Sequence, residues 1–170
     1  MTQEYLHSLF NYNKETGILT YKVTRNYNAT AGREAGYIWS NGNKKYKHIK
    51  IDGANYRYHR VVWLYVNGNF PNGQIDHING NTLDNRIENL RDVTSIENSM
   101  NRGIQSNNTS GYSGINKLPS GNWRVRINVN KNRINVGTFA TFEDAYKARK
   151  EAEKEYGYHI NHGRVNEQIN

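Results

Sequence analysis

The segment QIDHINGNTLDNRIENLRDVTSIEN, residues 74–98, limits the folds open to this chain more than any other stretch. Residues 75–78 read as a short strand, and Asn79-Gly80-Asn81 supplies the turn that ends it. LDNRIENL then predicts a helical turn and LRDVT a second short strand. Thr94 is a favourable N-cap, with Glu97 three residues later completing a capping box. The helix opened there, SIENSMNR, carries Asn98 one turn in. Strand, loop, strand, helix is therefore the order predicted over residues 74–102.

Other elements follow from periodicity and turn residues. Residues 3–11 predict a short amphipathic helix with Leu6, Leu9 and Phe10 on one side. NKETG turns into a strand at Ile18–Val23, and strands are expected at 34–40 and 45–51. GANYRYH follows a turn at Asp52-Gly53. HRVVWLYVNG (59–68) is continuous and apolar enough for a buried helix stopped by Asn67-Gly68, and Pro71 marks a boundary. GIQSNNTSG (103–111) is polar and reads as a linker. YSGINKL, NWRVRINVN and RINVGTF predict three strands with tight turns, and Thr141 caps the helix FEDAYKARKEAEKEYG, ended by Gly157. Ala145, Ala148, Ala152 and Tyr156 fall at helical spacing, and small residues there let a helix lie close on a sheet.

Composition narrows the class. The chain has no cysteine, which excludes disulfides and thiolate zinc sites and fits a reducing, cytoplasmic setting. No apolar run approaches the ~20 residues that span a bilayer, and MTQEYLHSLF lacks the features of a signal peptide. Net charge is +8. Residues 1–70 carry ten Lys/Arg against four acids, and residues 104–140 carry five basic groups and no acid. Residues 71–103 reverse the sign, with Asp76, Asp84, Glu88, Asp92 and Glu97 against Arg86, Arg91 and Arg102. A polyanion-binding protein holding a divalent cation at its centre would need that order; solvated surface charge is the plainer account.

Asp76-His77 is the most informative pair, because strands disfavour Asp and a structural role would need a partner. Strand neighbours point to opposite faces, so the two cannot reach one atom but can serve two sides of a scissile phosphate. A neutral histidine can take a proton from water. A carboxylate and an amide oxygen suit a hard cation. Asparagine alone says little, since 27 of 170 residues are Asn; Asn81 and Asn85 read as turn formers and Asn101 as a helix-end residue. His59 reads as a core or helix-start residue. His159 and His162 lie in a polar tail, and His7 and His48 have no evident partner.

QIDHINGNTLDNRIENLR followed by TSIENSMNR resembles the HNH endonucleases, specifically phage-type homing endonucleases with a ββα-metal core. YHRVVWLYVNGNFPNG is similar to the segment leading into that core. The resemblance implies Asp76 and Asn98 as metal ligands, His77 as general base and Asn89 as organiser of the loop that orients it. Asparagine stands at the final position, where many relatives have histidine, which implies a harder site, for magnesium, with manganese as the alternative.

In NWRVRINVN, Trp123, Val125, Ile127 and Val129 alternate with Arg124, Arg126, Asn128 and Asn130. The first set should pack on the alanine face of the following helix. The second set would present guanidinium and amide groups suited to base edges or phosphates. SGYSGI, WRVRI, VGTF and FEDAYKARKEA resemble the plant Apetala/ethylene-response-factor DNA-binding domain over about residues 107–157. That resemblance implies a sheet in the major groove, led by Arg124 and Arg126 with Lys117 and Arg133 nearby.

The expected fold is α+β: a ββα-metal nuclease core (74–102) with a β-rich N-terminal extension, joined to a three-stranded antiparallel sheet packed on one helix. The expected domains are 1–103 for cutting, a linker at 104–111, 112–160 for binding duplex DNA, and a tail at 161–170. Lys44, Lys45, Lys47, Lys50 and Arg57 would add phosphate contacts. The expected protein is a monomeric metal-dependent DNA endonuclease of phage type with no membrane partner. A non-catalytic DNA-binding regulator and an RNA-binding protein are the rival readings.

Overall fold

A computed structural model describes residues 1–42, 44–101, 104, 107–160 and 162–163. The chain divides into two compact units, Met1–Thr94 and Ser95–Asn170. Each is a mixture of short helices and small antiparallel sheets, an α+β arrangement. Among the described residues no helix is long and apolar enough to cross a membrane.

The first unit opens with α1 (Gln3–Leu9), capped by the Thr2 hydroxyl accepting from the Tyr5 N–H. The predicted helix over 3–11 ends earlier: Phe10 is already extended and begins β1 (Phe10–Asn13), which pairs with β2 (Ile18–Tyr21). Leu6, Leu9 and Phe10 are all buried, so a helical spacing of apolar residues here spans two elements. The hairpin turns on the Asn13 amide oxygen, which accepts from the N–H groups of Glu15 and Thr16, an Asx turn.

A three-stranded sheet follows, β3 (Tyr37–Asn41), β4 (Lys44–Ile51) and β5 (Ala54–Arg57), in the order β3-β4-β5. Asp52 and Gly53 both have positive φ, as a two-residue hairpin turn requires. The buried helix α2 (Tyr58–Asn67) follows directly, and it stops at Gly68, whose left-handed backbone lets its N–H bond to the Leu64 carbonyl. Val61 and Val62 are mediocre helix formers, yet Tyr58, Val61, Val62 and Leu64 are buried against Leu6, Phe10, Leu19 and Ile49. Burying each aliphatic side chain contributes about 1.5–3 kcal/mol, which outweighs the propensity cost. The Tyr58 hydroxyl accepts from the Leu19 N–H and ties helix to hairpin. Strands β6 (Gln74–His77) and β7 (Leu90–Val93) form the last sheet of the unit, with a 3-10 turn at Ile87–Asn89 just before β7.

The second unit begins with α3 (Ser95–Met100). Arg102, at the end of the helix expected there, lies outside the described residues. Strands β8 (Ile115–Lys117), β9 (Trp123–Val129) and β10 (Asn132–Phe139) form a sheet in the order β10-β9-β8, and α4 (Phe142–Glu155) packs on it. Val125 and Ile127 are buried as the alternation predicts. The helix face differs from the alanine stripe. Ala145 and Ala152 are buried, Ala148 and Tyr156 are half-buried, and Arg149 and Glu153 are sealed in as an ion pair at 3.0 Å. Arg149 also donates to the Arg126 carbonyl, so a charged side chain fastens helix to sheet.

Candidate functional site

Antiparallel pairing of β6 with β7 places Asp76 opposite Arg91 and His77 opposite Leu90. Directly paired residues share a face, and Arg91 donates through Nε and Nη2 to the Oδ2 of Asp76, at 2.9 and 2.7 Å. His77, one residue on, turns to the other side of the strand. Both side chains are buried, 7% and 5% exposed.

The loop from Ile78 to Asn89 is held by amides. Asn89 is buried, accepts on Oδ1 from the Asn79 N–H (2.9 Å) and donates through Nδ2 to the Asp84 carbonyl (2.8 Å). One side chain thus clasps both ends of the turn. Asp84 closes the rest, accepting from Asn79 Nδ2 and from Arg86 Nε and Nη2. The Arg86 guanidinium holds the Asp84 carboxyl below its usual range. The β1–β2 turn braces this loop from outside. Gly17 has φ +72°, and a Cβ there would lie 2.4 Å from the Arg86 nitrogen. Tyr12 accepts on its hydroxyl from the Ile87 N–H and donates to the Asn85 carbonyl.

Asn85, expected as a turn former, is 2% exposed and touches His77. Its Nδ2 donates to the Leu83 carbonyl at 3.0 Å, so Oδ1 is the atom 3.3 Å from His77 Nε2. An amide oxygen only accepts, so this contact favours the tautomer with its hydrogen on Nε2. Burial lowers the pKa of His77, against the raising effects of Asn85 and Asp76. His59, at the start of α2, stands edge-to-face with it, ring centroids 5.3 Å apart, and burial pushes its pKa down to about 3. Sequence spacing offered no signal for either contact, because both depend on which way a buried ring or amide faces.

Asp76 offers a hard anionic oxygen donor. Among the described residues no three His, Asp or Glu side chains gather as a metal cluster. Magnesium is commonly held by one or two carboxylates, with water and phosphate oxygens filling the shell. One carboxylate beside a histidine fits that pattern better than the multi-ligand set of a zinc site. An incoming cation would share Asp76 with Arg91 or displace it. Asn98 is half-buried on α3, in the second unit.

The other candidate residues are spread over both units. Arg124 and Arg126 are half-buried on β9, and Asn128, Arg133 and Lys117 are exposed. Register puts Arg124 with Asn116 and Thr138, and Arg126 with Asn135, so the polar face of this sheet is lined by guanidinium, amide and hydroxyl groups. Arg126, Lys131, Arg133, Arg149 and His162 also line a recess of about 700 Å³. In the first unit Lys45 and Arg57 are exposed, whereas Lys47 pairs with Glu34 and lies 4.2 Å from the centre of the Tyr58 ring.

Residues 56–100 match the HNH endonuclease family. The match runs from β5 through α3 and takes in Asp76, His77, Asn85, Asn89, Arg91 and Asn98. The chain is 45% identical over 60 residues to Protein 3.8 of Escherichia phage T7, covering 35% of this chain and 50% of that protein. It is 32% identical over 108 residues to the "SPbeta prophage-derived putative HNH homing endonuclease YosQ" of Bacillus subtilis (strain 168); 61% of this chain and 60% of YosQ are covered. An uncharacterized HNH endonuclease of Acanthamoeba polyphaga mimivirus is 29% identical over 111 residues, covering 64% and 57%. The chain thus spans about half to three fifths of the length of these curated relatives. No solved structure gives a significant match.

Proposed function

We propose that the chain is a phage-type DNA endonuclease that hydrolyses a phosphodiester bond of duplex DNA with His77 as general base. The observation that carries this is the buried His77, held at Nε2 by the Asn85 amide and one residue from the carboxylate of Asp76 within the HNH segment. His77 takes the proton of the attacking water. Asn89 keeps the loop that frames His77 closed. Asp76 and the amide oxygen of Asn98 would hold a divalent cation, magnesium in first place and manganese in second. That cation, when bound, neutralises charge on the scissile phosphate and the departing 3′ oxygen. Arg124, Arg126 and Arg133 bind the duplex from the sheet of the second unit, read as Apetala-like, while Lys117, paired with Trp123 on the other face, adds a contact from the sheet edge, and Lys45 and Arg57 add contacts from the first. One such site in a monomer cuts one strand per encounter.

The test is supercoiled plasmid with magnesium, then with EDTA. His77→Ala should lower nicking by about 10²- to 10⁴-fold, the usual worth of a general base, while plasmid binding persists. Undiminished nicking by a pure His77→Ala preparation would refute the assignment. A second reading, DNA binding without cleavage, draws on the Arg91 guanidinium that already occupies Asp76. Under that reading wild-type protein leaves the plasmid supercoiled with either metal.

A further inference from the structure

The sheet β3-β4-β5 has a solvent face of which the proposed function uses Arg57 alone, for a phosphate contact. Its other face meets the core along β4, where Ile49 and Ile51 are buried. Register places Tyr37 opposite His48 and Trp39 opposite Tyr46, and continues His48 to Arg57 and Lys50 to Asn55. Tyr37, Trp39, Tyr46, His48, Lys50 and Arg57 therefore stand on one side. Tyr37 is 45% and Trp39 41% exposed, and Lys50 and Arg57 are also exposed.

The rings brace one another. His48 lies 5.4 Å from Trp39 and 6.1 Å from Tyr37, centroid to centroid, and the Arg57 guanidinium sits 5.2 Å from the centre of the Tyr46 ring. The Tyr37 hydroxyl donates to the Asn55 amide oxygen. No Asp or Glu occurs in any of the three strands. Exposed apolar rings on a cationic, acid-free face call for an occupant that is both flat and anionic.

We propose that this face binds single-stranded DNA, the rings stacking on bases while Lys50 and Arg57 track phosphates. Bases of an intact duplex are stacked on one another and offer only edges, so the faces of Tyr37 and Trp39 would have no use against it. Residues two apart on a strand lie about 6.6 Å apart, roughly twice the ~3.4 Å rise between stacked bases. The bases that use these rings are therefore splayed or skip a position, as in an unpaired strand. The choice of DNA over RNA rests on the nuclease reading above.

The test uses the full chain in EDTA with labelled oligo-dT, the duplex of a mixed sequence, and oligo-U. Tyr37→Ala with Trp39→Ala should weaken oligo-dT binding at least tenfold, since each stacked ring contributes about five- to a hundredfold. Duplex affinity should stay within about threefold, because the second unit holds the duplex. Trp39→Phe keeps a ring and should retain most of the oligo-dT affinity, so a folding defect in the alanine variant is separated from lost stacking. Equal loss on duplex and single strand, or no loss on oligo-dT, overturns the proposal, and tighter binding of oligo-U overturns the assignment to DNA. Plasmid nicking by the same proteins is scored apart: oligo-dT binding without nicking sinks the nuclease reading and leaves this face standing.

Discussion

At the scale of single residues, what matters is how a chain so rich in asparagine assigns its amides. Asn89 and Asn85 are both buried and both spend Nδ2 on a backbone carbonyl, which frees Oδ1 for a second partner. Asn89 uses it on a backbone N–H, and Asn85 uses it on His77. The Asn85 contact turns a packing residue into one that selects a tautomer. Outer partners of this kind typically change activity by about 10–100-fold when removed. Asn85→Leu should lower nicking by about that factor and leave His77 a mixture of tautomers in ¹⁵N imidazole spectra. Asn85→Asp keeps an acceptor and should keep the Nε2–H form. A single Nε2–H tautomer and full nicking in Asn85→Leu would show that Asn85 is structural only. In the sequence Asn85 was indistinguishable from the turn formers around it, because an asparagine's role depends on burial and on which amide atom faces inward.

At the scale of elements, α4 shows how far a periodic pattern carries. The stripe through Ala145 and Ala152 was legible, and so were the Thr141 cap and the strand alternation that it packs on. Arg149 was not, although it sits four residues from Ala145 on the same stripe, because hydropathy assigns arginine to solvent. Its side chain is buried with Glu153 and bonded to the Arg126 carbonyl. Removing one partner of such a pair leaves an uncompensated buried charge, at about 3–5 kcal/mol, whereas apolar replacement of both can be nearly neutral. Arg149→Ala leaves Glu153 with Lys150 and the Tyr112 hydroxyl as partners, so it should lower the unfolding free energy of the second unit in urea by no more than about 3 kcal/mol, the low end of that range. Arg149→Met combined with Glu153→Leu should recover most of the loss, and a double variant as unstable as the single one would show that the charges themselves are required. The same limit explains the N-terminus. Leu6, Leu9 and Phe10 match helical spacing, yet Phe10 is buried from β1. The turn at NKETG and the strand after it were legible, but β1 was hidden by an apolar spacing common to both periods.

At the scale of the whole chain, the charge map takes on a different meaning once partners are known. The acidic middle looked like a cradle for a cation. Most of it is spent locally: Asp84 and Glu88 hold Arg86, and Asp92 accepts from the N–H groups of Asn72 and Gly73 to shape the approach to β6. Asp76 is the carboxylate placed beside His77, so a cation there would depend on phosphate and water for most of its shell. Such a site is weak without substrate, which makes tight DNA binding elsewhere in the chain a condition for catalysis. The sheet of the second unit supplies that grip in our reading, through guanidinium groups that release counterions from the duplex. Arg124→Ala with Arg126→Ala should then weaken duplex binding and reduce the slope of log K against log salt by about 2, one for each lost phosphate contact. Nicking should fall mainly through KM, with the rate at saturating DNA nearly kept, because the proposed chemistry rests on Asp76 and His77, which belong to the first unit. An unchanged salt slope would remove this sheet from the DNA footprint, and a collapse of the saturated rate would mean that the second unit does more than hold the substrate.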